Sequence, residues 1–198
     1  GASVDETIEH GLCTLEYRIR QKDGHYVNLE DHRRLVRDPS GGRVEIAGVM
    51  TDITERQRLQ AEVRLRDQRL NAFFSGAAVG MALLDKDLRF VQINDTLAEM
   101  NGVPQKDHLG RTVSEILPDI APTVEPLINR ILTTGDTIPA FTLSGETARD
   151  PGVKRHWIES LFAIEGLDGR PDGVGAIVVE ITERKRMEES LRLSEERF

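Results

Sequence analysis

Hydrophobic and polar residues alternate from the start of the readable pattern. Cys13, Leu15, Tyr17 and Ile19 are out of phase with Thr14, Glu16, Arg18 and Arg20, the period of a half-buried strand. Lys22-Asp23-Gly24 is turn chemistry, and a long second strand is predicted over residues 26–36. Asp38-Pro39-Ser40-Gly41-Gly42 predicts another turn, and residues 44–53 a third strand, which completes an antiparallel meander. The period then changes. From Thr54 to about residue 74 there is no Pro and no Gly, and Thr54 with Gln57 three residues on fits an N-cap and capping box. Leu59, Val63, Arg66, Leu70 and Phe73 step by four and three along this predicted helix. Such a seam suits either a parallel pairing with a second copy or a solvated linker whose few apolar residues dock on their own domain.

Further on, residues 81–84 and 88–93 read as strands joined by Asp85-Lys86-Asp87. Asn94 or Asp95 can cap a short helix that Asn101-Gly102 stops. Residues 104–117 read as short helical turns and 123–132 as a helix ended by Gly135. Residues 138–143, 155–164 and 173–181 are strands. The order β-β-α-α-α-β-β-β is an α+β pattern built on an antiparallel sheet. The last strand, Val174-Gly175-Ala176-Ile177-Val178-Val179, does not alternate, so both of its faces are expected to be covered by apolar groups.

The chain repeats itself. Ile53-Thr54-Glu55-Arg56 recurs as Ile181-Thr182-Glu183-Arg184, an offset of 128 residues (181 − 53). At that offset Arg58 meets Arg186, Leu59 meets Met187, Val63 meets Leu191 and Arg69 meets Arg197. The second exit helix therefore repeats the seam as Met187, Leu191, Ser194 and Phe198. Two copies of one module are expected, each leaving through a strand-to-helix junction: Asp52, Ile53 and Thr54 in the first, Glu180, Ile181 and Thr182 in the second.

Composition narrows the chemistry. The 198 residues carry 26 Lys and Arg against 34 Asp and Glu, a net charge of −8, which is the wrong sign for a general nucleic-acid binder. The single Cys13 cannot form an internal disulfide or supply a Cys-rich metal site, which suits a reducing, cytoplasmic setting. No segment has the apolar length of a membrane span or the pattern of a signal peptide, so no membrane contact is expected from this segment. No Gly-rich phosphate loop, nucleophile elbow or His-Glu-x-x-His run is present, and no catalytic residue or metal ligand is assigned.

Several stretches together resemble the PAS sensor family. The segment from Tyr17 to Gly24, followed by Gly48-Val49-Met50-Thr51-Asp52-Ile53-Thr54-Glu55-Arg56, is similar to the C-terminal half of such a domain with its Asp-Ile-Thr exit. Gly80-Met81-Ala82-Leu83-Leu84-Asp85 and Leu88-Arg89-Phe90-Val91-Gln92-Ile93-Asn94 resemble the start of a complete one, and Leu109-Gly110-Arg111 falls where the family places it. The second exit departs from the pattern with Glu180 for Asp, and Asn28 stands where many relatives carry Trp.

The resemblance implies a five-stranded antiparallel sheet with helices on one face. It divides the chain into residues 1–53 (the C-terminal part of a truncated domain), 54–74 (a connecting helix), 75–182 (a complete domain) and 183–198 (an exit helix toward a further domain). Val44 to Ile53 should then present an exposed sheet edge, a pairing hazard expected to be covered by another chain, by a helix or by crystal contacts. The implied function is signal sensing and relay in a multi-domain, two-component-type sensor, most plausibly a histidine kinase, homodimeric through its linker helices and acting on an output domain in cis. The competing reading is a passive dimerisation spacer without a ligand. A candidate pocket is expected among Phe90, Leu97, Met100, Ile116, Phe141, Trp157 and Phe162, against the alternative of an ordinary filled core. No cofactor is expected. Residues 71–181 hold no Cys for a flavin adduct, residues 123–132 hold no His for haem, and His108 and His156 read as surface residues.

Overall fold

The structure, a computed structural model, describes residues 12–37 and 44–195. The expected turn at 38–42 and the seam position Phe198 lie outside the described residues. The chain divides into two compact units, one up to Arg69 and one from Leu70 onward.

The first unit is a three-stranded antiparallel meander of β1 (Leu12–Arg20), β2 (Tyr26–Arg37) and β3 (Val44–Asp52), in that spatial order. Cys13, Leu15 and Tyr17 are the sheltered positions of β1, as the alternation requires. At the β1–β2 turn Gly24 takes φ +93°, a conformation that costs other residues a Cβ clash. Among the described residues β3 pairs with β2 alone, and its side chains from Glu45 to Met50 are exposed. The helix α1 (Thr54–Gly76) follows directly.

The second unit opens with β4 (Gly80–Asp85) and β5 (Phe90–Ile93), then α2 (Asp95–Asn101), α3 (Gln105–His108), α4 (Val113–Ile116) and α5 (Ala121–Thr134). Three long strands follow, β6 (Ile138–Gly145), β7 (Arg155–Glu165) and β8 (Pro171–Glu180), and then the exit helix α6 (Thr182–Glu195). The five strands form one antiparallel sheet in the order β5-β4-β8-β7-β6, so the last strand is the central one. α5 lies against β6, β7 and β8 and buries Val124, Ile128 and Ile131.

The central position of β8 explains its unbroken apolar run. Val174, Ala176 and Val178 point into the core, and Gly175, Ile177 and Val179 face the other way. Gly175 is required there, because a Cβ would sit 2.3 Å from the ring of Phe162. The helices are held by specific polar groups. Asn94 is fully buried, and its Oδ1 accepts from Leu97 N–H (3.0 Å) and Met81 N–H (2.9 Å). Its Nδ2 donates to the carbonyls of Phe74 (3.0 Å) and Val79 (2.9 Å), so one side chain caps α2 and fastens the entry to β4. Gly102 ends α2 at φ +73°, where a Cβ would meet the Arg149 backbone at 2.1 Å.

Candidate functional site

The core of the second unit is not completely filled. A cavity of about 50 Å³ lies between the sheet and the helices. Phe90, Leu97, Trp157, Leu143, Val124 and Ile128 are among its walls, and Ala82, Ala176 and Val178 form much of its floor on the sheet. Three of the seven residues expected around a pocket, Phe90, Leu97 and Trp157, therefore line it. Met100 and Ile116 are buried in the same core but do not reach the cavity. Phe141 is half-buried and packs against the core without lining the cavity. Phe162 is on the opposite face of the sheet. Trp157, Glu159 and Leu161 are the inward positions of β7, and the strand period sends Phe162 outward onto Gly175.

Glu159, not among the residues expected at the pocket, is the polar group of β7 that faces it. It is 8% exposed, it lines the cavity, and its carboxyl group has no hydrogen-bond partner among the described residues. Burial alone pushes its pKa up from 4.5 to about 7. It is the one ionisable side chain on the cavity wall. The signal was present in the sequence: a Glu in phase with Trp157 and Leu161 on an otherwise apolar strand face.

Asn101 also lines the cavity and leads to His108, which is fully buried and not at the surface as its polar surroundings suggested. The His108 ring stands edge-on to Phe90, with centroids 5.1 Å apart. Its Nδ1 lies 3.0 Å from the Pro104 carbonyl, so Nδ1 carries the proton and donates. Nε2 then accepts from Asn101 Nδ2 at 3.0 Å. With both nitrogens bonded, the neutral ring is well satisfied, and burial moves its pKa down.

The two strand-to-helix junctions superpose in their bonding. Ile53 N–H donates to the Asn28 carbonyl (2.9 Å), and Ile181 N–H donates to the His156 carbonyl (2.8 Å). Asn28 N–H donates to Thr54 Oγ1 (2.8 Å), and His156 N–H donates to Thr182 Oγ1 (3.0 Å). Residues 28 and 156 are themselves 128 apart (156 − 28), so the repeat extends to the strand that receives each junction. The expected N-cap and capping box are thereby corrected. Both threonines are the first helical residues, and their hydroxyls accept from a neighbouring strand instead of from their own helix. The Gln57 side chain bonds Glu16 (2.9 Å). In the first junction it is Asp52 Oδ1 that accepts Thr54 N–H (2.9 Å), and hydrogen bonding from the Thr54 side chain and backbone lowers the Asp52 pKa. In the second, the longer Glu180 turns to Arg155 (2.5 Å) and Arg149 (3.4 Å), and Arg155 also binds Asp150.

The seam residues Leu59, Val63, Leu70, Phe73, Met187 and Leu191 are all exposed. Cys13 is half-buried on β1. Among the described residues no group of His, Cys, Asp or Glu is placed to hold a metal ion, and no helix is long and apolar enough to cross a membrane.

Comparison with known proteins bears on this geometry. A family profile described as "PAS fold" matches residues 74–186, and a second profile of the same description matches residues 2–50. No curated protein sequence matches significantly. Among solved structures, the PAS domain of a protein from Colwellia psychrerythraea aligns with a TM-score of 0.51 at 14% identity, over 60% of this chain and 98% of its own. An RNA-binding light-oxygen-voltage receptor aligns at 0.54 and 12% identity, over 100% of this chain and 85% of its own. VqmA of Vibrio cholerae, in a complex with ligand and DNA, aligns at 0.51 and 18% identity over 58% of this chain, which spans 51% of VqmA. At these identities the structural likeness concerns the fold. The profile over residues 74–186 takes in the five-stranded sheet, its helices, the cavity and the root of α6: the chain belongs to the PAS family of signal-sensing domains.

Proposed function

We propose that the second unit is the sensing and relay module of a multi-domain, two-component-type sensor. In this reading a small ligand or a partner changes the packing of the cavity walls, and α6 passes the change to an output domain in cis. The observation that carries it is the shortness of the path. β8 places Ala176 and Val178 on the cavity and, two residues later, Glu180 at the junction. β7 places Trp157 and Glu159 on the cavity, next to Arg155 and His156, which hold Glu180, Ile181 and Thr182. Floor and fastening therefore share two paired strands, and a shift of one reaches the other within one or two residues. A histidine kinase output, a homodimer through the α1 and α6 seams, and a cytoplasmic setting without nucleic acid belong to the same proposal. The exposed seams suit that pairing, whether the module senses a ligand or acts as a passive spacer.

The test uses the full-length sensor. Thr182→Val and Glu180→Gln should alter basal or stimulated output while leaving the cavity intact, as judged by Trp157 fluorescence. Unchanged output in both variants would refute the relay. Native mass spectrometry with a thermal-shift ligand screen separates sensor from spacer, since a dimer with no ligand response supports the spacer.

A further inference from the structure

We infer that the cavity of the second unit takes a small amine with a compact apolar body, its ammonium group paired with the Glu159 carboxylate. The inference rests on the ligand-sensing reading above and adds the chemistry of the ligand.

The chain supplies its own comparison. Asp31 of β2 and Glu159 of β7 are 128 residues apart (159 − 31), and their cross-strand partners, Met50 and Val178, keep the same offset. In the first unit the carboxylate is provided for. Arg33 donates to Asp31 Oδ2 from Nη2 (2.6 Å) and Nε (2.8 Å), and the Tyr17 hydroxyl adds a third bond at 3.2 Å. In the second unit the position equivalent to Arg33 is Leu161, and the position equivalent to Tyr17, read from its pairing (Tyr17 with Leu29, Leu143 with Trp157), is Leu143. The carboxylate is kept, its cation and hydroxyl are gone, and a cavity lies in front of it. A buried carboxyl without a partner is costly, and a ligand that brings N–H donors removes the cost.

The second polar group on the wall agrees in sign. Asn101 uses one Nδ2–H on His108 Nε2, and its carbonyl oxygen is available to accept. Two acceptors in an apolar setting select a donor-rich cation and disfavour carboxylates and phosphates. Size sets the body. About 50 Å³ is room for roughly four waters at ~10–15 Å³ each, enough for a few carbons. Protons balance as follows: where Glu159 is protonated, binding of the ammonium ion forms the carboxylate–ammonium pair and releases one proton to the buffer.

The experiment titrates the whole chain with isobutylamine and, in parallel, with neutral isobutanol, following the emission of Trp157, the only tryptophan. The amine should bind, and isobutanol should bind at least about tenfold more weakly, as should the amine to Glu159→Gln. Calorimetry in buffers of different ionisation enthalpy should show proton release near neutral pH. Should Glu159→Gln fold poorly, the wild type still decides the matter: affinity should fall about tenfold per pH unit below pH ~7, where the carboxylate is lost while the amine stays charged. His108, which bonds the cavity-lining Asn101, has its pKa lowered by burial, so its ring stays neutral around pH 7, where the slope begins. Equal binding of amine and alcohol, or binding indifferent to both Glu159→Gln and pH, overturns the inference and leaves ligand sensing standing. No response to either probe overturns the inference, and failure of a wider set of neutral apolar fragments as well removes the sensing reading.

Discussion

Replacing Glu159 by Gln should stabilise the second unit, and only above about pH 5. The carboxyl is 8% exposed and has no hydrogen-bond partner among the described residues, so folding raises its pKa from 4.5 to about 7. Between those values the folded chain retains a proton that the unfolded chain has lost. Stability therefore falls as pH rises through that window and levels off above it. A difference of two to three pKa units at 1.36 kcal/mol each corresponds to about 3 kcal/mol at full ionisation. Gln has nearly the same shape and no charge, so the variant lacks this slope.

The assay is urea unfolding of wild type and Glu159→Gln at intervals between about pH 4.5 and pH 8.5, followed by Trp157 fluorescence. Other groups tilt both curves equally. His108 works in the opposite sense: burial lowers its pKa, so its contribution is present above its ordinary value of 6.5 and is lost as pH falls below it. The difference between the two proteins isolates Glu159. It should be near zero at about pH 4.5 and grow to about 3 kcal/mol in favour of Gln at about pH 8. A difference that does not change with pH would refute the reasoning, as would one that favours wild type at high pH. Either result would mean that the carboxylate has a partner or free access to water.

The remaining predictions concern the fastenings. Thr182→Val removes the acceptor of His156 N–H and should cost about 1–3 kcal/mol in urea unfolding, with faster amide exchange at His156. Asn94→Asp keeps the cap acceptor but cannot donate to the Phe74 and Val79 carbonyls. It should cost about 2–4 kcal/mol and be no milder than Asn94→Ala, read from the thermal midpoint. Gly102→Ala places a Cβ 2.1 Å from Arg149 N at positive φ and should lose at least about 1–2 kcal/mol, visible as loosened amide protection in residues 145–150.

The strands were legible because each uses one period. Alternation located β1, and the unbroken run of β8 marked the central strand, but its outer face is covered only in part: Ile177 is half-buried and Val179 exposed. Phe162 was misplaced by counting it as a bulky residue without its phase, and the phase of Trp157 and Leu161 would have sent it to the other face. His108 was read as a surface residue because its neighbours are polar. Its burial depends on Pro104 and Asn101 closing both ring nitrogens, a tertiary arrangement with no periodic trace. Thr54 reads as a cap because the local pattern of a capping box does not show the donor beyond the helix. That donor is a backbone N–H on a strand 26 residues earlier in each copy.

The two copies together separate what the architecture needs from what varies on it. At each junction the bonds that anchor the helix run through the backbone of residue 28 or 156 and a threonine hydroxyl. Asn28 and His156 differ as side chains, yet the geometry is kept, because it asks nothing of them beyond an N–H and a carbonyl. Three residues further along the same strands the opposite holds. Asp31 and Glu159 preserve a carboxylate, but one is neutralised by Arg33 within the chain and the other faces a cavity. A position that keeps its charge while losing its counter-charge does not improve packing. Leucine at 159 would match the apolar walls and avoid the desolvation cost, so retaining the acid weakens the fold and makes sense as chemistry directed at whatever enters the cavity.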